Sequence, residues 1–220
     1  MAGNTTVLDI KKSIIHNKVI FFDTTDLLAK TSIKYNLNRV FRVQELTAPI
    51  LEYIQSYIER KLEDVEFNTV LPLNLSSTPY ASDIAISSDK SLLLKEDGKF
   101  TTNLEGDEKI LLVVDTIKDE NDLKLIETIM KKINLFDAQL VGILIIFDQD
   151  IGEYIRILNK CDKIFSVFSV NDLCELAYNN NIVSLFEYEK YKFYSEKMVK
   201  NELIKLNSNI DNAKNADDSN

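Results

Sequence analysis

Two hydrophobic rhythms alternate along the chain. KILLVVD (109–115) and LVGILIIFD (140–148) are almost unbroken apolar runs, the pattern of strands covered on both faces. Shorter apolar stretches at 18–23, 33–41, 67–75 and 163–169 predict further strands. Between them the apolar residues fall at helical spacing. Val7, Leu8, Ile10 and Ile14 mark a helix over 5–16, and Leu123, Ile126, Ile129, Met130 and Ile133 mark one over 120–133 with Lys131 and Lys132 at its C-terminal end. The clearest helical face is Ile50, Leu51, Ile54, Tyr57, Ile58 and Leu62, in a helix that Thr47 would cap with Pro49 in its first turn. Thr78-Pro79 opens another helix, 152–160 forms one more, and Ser169 with Asp172 resembles a capping box.

SLLLKEDGKFTTN (91–103) predicts a hairpin turning near Glu96-Asp97-Gly98. Strand and helix then alternate at short spacing, which predicts an α/β fold: a doubly wound, mostly parallel sheet with helices on both faces. Residues 182–206 mix Leu185, Phe186, Tyr188, Tyr191, Tyr194 and Met198 with charges, giving a helical C-terminus. From Asn207 the chain is a polar tail expected to be disordered, so residues 1–206 form the single domain and 207–220 the tail.

Composition narrows the function. The net charge of −9 argues against broad nucleic-acid or anionic-membrane surfaces, and no apolar run approaches the length of a membrane span. Two unpaired-looking cysteines, Cys161 and Cys174, and no cleavable leader point to a reducing, intracellular compartment, the cytoplasm. A single histidine, His16, sits on a helix face without partners at ligand spacing, which disfavours a histidine-based hydrolase. There are five glycines and no glycine-rich phosphate loop.

The remaining candidate chemistry is acidic. Asp115, Asp119, Glu120 and Asp122 follow a buried strand, where carboxylates can hold Mg²⁺ or Ca²⁺. Acids in a first helical turn equally serve its unpaired N–H groups and its dipole. Asp115, at the carboxyl end of its strand, is the best placed for function, and Asp148 occupies the equivalent end of the next strand.

Residues 110–122, ILLVVDTIKDEND, resemble the phosphoribosyl-diphosphate (PRPP) signature of type I phosphoribosyltransferases: apolar residues, paired acids, two apolar residues, then a glycine- and hydroxyl-bearing phosphate loop. The resemblance is closest to orotate phosphoribosyltransferase, the N-terminal half of UMP synthase. It continues through 67–85, 140–160 and 163–176 and implies a small N-terminal hood, magnesium-dependent chemistry and a homodimer. Within it, Val114 stands where the first acid belongs and Asp115 keeps the second. Lys118, Asp119, Glu120, Asn121 and Asp122 fill the phosphate loop, with Glu120 at the glycine. Pro72 and Asn74 stand beside the diphosphate where glycine and proline are expected. Gln149 replaces an arginine after Asp148, and Lys95 and Lys99 remain in a shortened catalytic lid.

These changes fall on ligand-binding positions and spare the sheet. They imply a pseudoenzyme that has lost PRPP binding, holds no cofactor or metal and serves as a protein-interaction scaffold. The competing expectation is a divergent enzyme making orotidine monophosphate with Mg²⁺, using Lys95, Lys99 and Asp115. A third is a pocket whose acidic loop takes a cation or an amine.

Overall fold

The computed structural model describes residues 6–22, 33–96, 99–101, 104, 106–118, 120–149 and 163–193. The expected helix over 152–160, Cys161 and the tail from 207 lie outside them. Five strands form one sheet in the order β4 (Ser91–Leu92), β3 (Thr69–Pro72), β7 (Lys109–Val114), β8 (Gln139–Asp148), β9 (Ile164–Ser169), and every neighbouring pair is parallel. Two small antiparallel ribbons accompany it: β1 (Ile20–Phe22) with β2 (Ile33–Tyr35), and β5 (Lys95–Glu96) with β6 (Lys99–Phe100).

Side-chain alternation along the strands builds two cores. Leu111 and Val113 of β7, with Leu144 and Ile146 of β8, face the helices α1 (Val7–His16), α2 (Gln44–Lys61), α3 (Thr78–Ser87) and α5 (Val170–Asn179). Ile110, Leu112 and Val114, with Ile143 and Ile145, face α4 (Glu120–Leu135) and the β5–β6 ribbon. Residues 110–114 of β7 and 142–148 of β8 are buried because both faces are covered, which is why these runs show no polar alternation. The register slips once between β7 and β8, leaving Val141 as an extra residue opposite Ile110 and Leu111.

Several local expectations are revised. The helix expected from Thr47 begins at Gln44, because starting one turn earlier buries Leu46. Thr47 is therefore not a cap; its hydroxyl donates to the Val40 carbonyl at 2.6 Å, and Pro49 sits in the second turn. In α1 the buried residues are Ile10, Ile14 and Ile15, while Val7 and Leu8 are exposed. The stretch 33–41 yields only a three-residue strand followed by a 3₁₀ turn at Leu37–Arg39. Ser91–Leu92 leaves the expected hairpin to become the sheet edge. At α5, Ser169 caps, but Asp172 pairs with Lys11 at 2.8 Å.

Four helices end on a non-glycine residue in the left-handed region: Lys18, Asp89, Asp137 and Asn181, with φ of 52°, 52°, 56° and 54°. After α1, Lys18 N–H reaches Ile15 O and Val19 N–H reaches Ile14 O, the paired bonds of a Schellman ending. A chain with five glycines has used other residues where glycine would cost least. Residues 185–193 are helical, with Tyr191 buried and bonded to Asn171 and Tyr188 stacked on Tyr178. Among the described residues no helix is long and apolar enough to cross a membrane.

Candidate functional site

The strand order contains a switch point. From β3 the chain passes through α3 to the outer strand β4, then returns to the opposite side of β3 as β7. The turns after β3 and β7 therefore leave towards opposite faces, α3 lying on one and α4 on the other. The crevice between them is where open α/β sheets hold ligands. Both turns are rich in polar side chains here, and Ser76 and Asp115 meet across the crevice.

The turn after β3 is a polar knot. Asn74 Oδ1 accepts from Ser77 N at 3.1 Å, Asn74 N donates to Ser77 Oγ at 3.0 Å, and Thr78 Oγ1 donates to Asn74 O at 3.2 Å. Ser76 reaches across the crevice: its Oγ lies 2.7 Å from Asp115 Oδ2 and also 2.7 Å from Asn74 Oδ1. A hydroxyl carries one proton, so these two contacts share it. Asp115 is fully buried, and its Oδ1, the Thr116 hydroxyl and the Tyr80 hydroxyl have no partner among the described residues. Burial, and then the Asp115 charge, push the Tyr80 phenol up from its ordinary range.

The turn after β7 is closed by its own side chains as well. Lys118 N–H donates to Asp122 Oδ2 at 2.8 Å, so the amide facing the phosphate-loop position is already taken by a carboxylate. Gln149 Nε2 donates to Ile117 O at 3.1 Å, and Phe147 N donates to Asp115 O at 2.9 Å. Val114 is buried in the core beneath α4, and Asn121 lies exposed in the first turn of that helix. Glu120 begins α4; its side chain, and all of Asp119, lie outside the described atoms. Among the described residues no three His, Cys, Asp or Glu side chains gather as a metal site would require.

The other sequence candidates are dispersed. Asp148, at the end of β8, accepts from Ser166 Oγ of β9 and is nearly buried. Lys95 lies on β5, where its Nζ donates to Leu73 O at 2.6 Å rather than reaching towards Asp115. Burial, and then the charge of Lys132, lower its pKa to about 8. Lys99 is on β6, its side chain outside the described atoms. A cavity of about 330 Å³ lies beside Lys95, between the β3–α3 turn and the outer flank of α4. His16 is exposed, with Nδ1 2.9 Å from Lys12 O. Cys174 is a buried core residue.

The sequence reading missed Ser76. It falls between an apolar run and a helix start, and nothing local distinguishes it from an ordinary turn serine. Only the pairing of β3 beside β7, which brings residues 39 positions apart together, reveals its role.

No protein-family model and no curated protein sequence matches the chain. Solved structures do. UMP synthase of Leishmania donovani superimposes with a TM-score of 0.68 at 16% identity, over 89% of this chain and 43% of that one. This chain therefore spans less than half of that protein's length. Orotate phosphoribosyltransferase of Francisella tularensis gives a TM-score of 0.64 at 15% identity, over 89% and 97% of the two chains. Adenine phosphoribosyltransferase of Leishmania tarentolae gives 0.56 at 8% identity, over 78% and 90%. The fold implied by the resemblance at residues 110–122 is thus matched over 89% of the chain.

Proposed function

We propose, from a chain with the type I phosphoribosyltransferase fold, that this protein is an orotate phosphoribosyltransferase-like pseudoenzyme. In this reading it no longer binds PRPP, requires no cofactor and acts in the cytoplasm as a protein-interaction scaffold. The observation that carries the reading is Lys118 N–H bonded to Asp122 Oδ2. A phosphate at a helix start is held by backbone amides aided by the helix dipole. Here a carboxylate of the same helix occupies that amide, and incoming phosphate meets negative charge instead of donors. Displacement of diphosphate from ribose needs donors aimed at the departing oxygens, and the turn supplies too few.

The competing reading is a divergent working enzyme, and one observation favours it. Asp115 Oδ1 is a fully buried carboxylate oxygen with no partner among the described residues, a cost that a bound ribose or Mg²⁺ would offset. Both readings meet in one experiment. Incubation with PRPP and Mg²⁺ is expected to leave the melting temperature unchanged, and adding orotate is expected to give no orotidine monophosphate. Product that disappears in Asp115→Ala would establish the enzyme and overturn the pseudoenzyme. The scaffold role, with a homodimer as the simplest assembly, is tested by sedimentation and affinity capture. A strictly monomeric chain that retains no protein would remove its basis.

A further inference from the structure

The surroundings of Lys95 suit an amine in its neutral form. The side chain leaves β5 half-buried, and its Nζ donates to a neutral carbonyl, Leu73 O at 2.6 Å. Among the described residues no ion pair involves it, and no carboxylate lines the cavity of about 330 Å³ beside it. A desolvated ammonium held by a neutral acceptor is poorly compensated for the water it has lost, so loss of its proton is favoured. With a pKa of about 8 against the usual 10.5, roughly a tenth of Lys95 is uncharged at pH 7, against less than about one in a thousand for an ordinary lysine. An uncharged amine carries a lone pair, and desolvation in apolar surroundings is one way a lysine becomes a nucleophile.

The cavity decides what can reach this amine. Its walls are mostly apolar: Leu73 and Ile129 are buried, Leu94 is half-buried, and Leu125 stands partly exposed on α4. Its volume falls at the small end of ligand pockets, so it admits a short molecule. A charged electrophile would lose hydration against the leucines. An acyl donor would need room for its departing group and a proton to release it. Condensation with an aldehyde makes neither demand, because it expels only water. One wall, the β3–α3 turn, also borders the Asp115 crevice, so Lys95 belongs to the same region of the molecule. Its chemistry nevertheless requires neither PRPP nor Asp115.

We propose that Lys95 is a nucleophilic lysine that condenses with small aliphatic aldehydes entering this cavity. The Nζ lone pair adds to the carbonyl carbon, and a proton passes from nitrogen to oxygen to give a carbinolamine. The C–O bond then breaks, water leaves with the second nitrogen proton, and a C=N bond remains. Amine and aldehyde thus give imine and water, with nothing oxidised or reduced. When protonated, the imine keeps one N–H for Leu73 O. Thr128, on the exposed side of α4 and part of the lining, is the position from which the cavity can be filled without disturbing either core.

The test treats the full chain with butanal and sodium cyanoborohydride, which reduces the imine to a stable secondary amine, and ranks the lysines by peptide mass spectrometry. At pH 7 Lys95 should be alkylated at least about tenfold faster than Lys124 and Lys131, which are exposed on α4. Thr128→Trp should slow Lys95 about tenfold and leave Lys131 unchanged, with thermal unfolding confirming that the variant folds. If it does not fold, Leu125→Trp, at another partly exposed lining position, takes its place. Alkylation of Lys95 no faster than that of the two exposed lysines, or unaffected by the tryptophan, would overturn the proposal.

Discussion

Ser76 and Lys95 carry the residue-scale consequences. Ser76→Ala removes a side-chain hydrogen-bond partner of a fully buried carboxylate. Leaving such a group unpaired costs about 1–3 kcal/mol, reduced here because the hydroxyl is shared with Asn74. Urea unfolding should show that loss, whereas Ser87→Ala, on the exposed end of α3, should cost much less. Lys95 gives stability a pH dependence whose sign is fixed. Its pKa is about 8 in the fold against an ordinary 10.5. Below pH 8 both folded and unfolded chains carry the charge, and folding bears the desolvation. Above pH 8 the folded chain releases a proton that the unfolded chain keeps until about 10.5, so stability from this group rises with pH across that window. Solvent screening of a partly exposed amine limits the gain to about 1 kcal/mol. Unfolding midpoints from pH 7.5 to 9.5 should climb in the parent and flatten in Lys95→Met. Above about pH 10 Tyr80 opposes the trend, since burial keeps its proton on in the fold while the unfolded chain loses it.

At the scale of elements, helix faces and buried strands were legible because burial on a sheet dictates their spacing directly. Helix ends were not. Thr47 has the right side chain for a cap, but Leu46 gains more by entering the core, and that preference depends on helices far away in sequence. The left-handed endings were invisible for a related reason: Lys18 and Asp89 carry no glycine signal, and only the closure of the chain onto the next strand requires the conformation. Lys18→Gly should relieve this backbone cost and stabilise the protein by about 0.5–1 kcal/mol. That corresponds to a melting temperature about 2 °C higher by calorimetry. A lower melting temperature would mean that the lysine side chain contributes more than its backbone costs.

For the molecule as a whole, the parallel sheet could be read from the alternation of strands and helices, because a sheet wrapped on both faces leaves unbroken apolar runs. The crevice could be located but not its state: a sequence places Asp115 at a strand end without saying what faces it. Hydrogen exchange should follow the sheet inward. The two-residue edge β4 should exchange first, and β7 and β8, buried on both sides, should exchange only with global unfolding. The Ser76–Asp115 contact also changes what binding at the crevice would mean. A ligand there needs the open arrangement, and its apparent affinity is scaled by the fraction of molecules already open. A shared bond worth about 1 kcal/mol keeps that fraction at roughly a sixth. Stability and receptivity are then antagonists in this molecule: Ser76→Ala, which weakens the fold, would raise about fivefold the affinity of anything that still fits between β3 and β7.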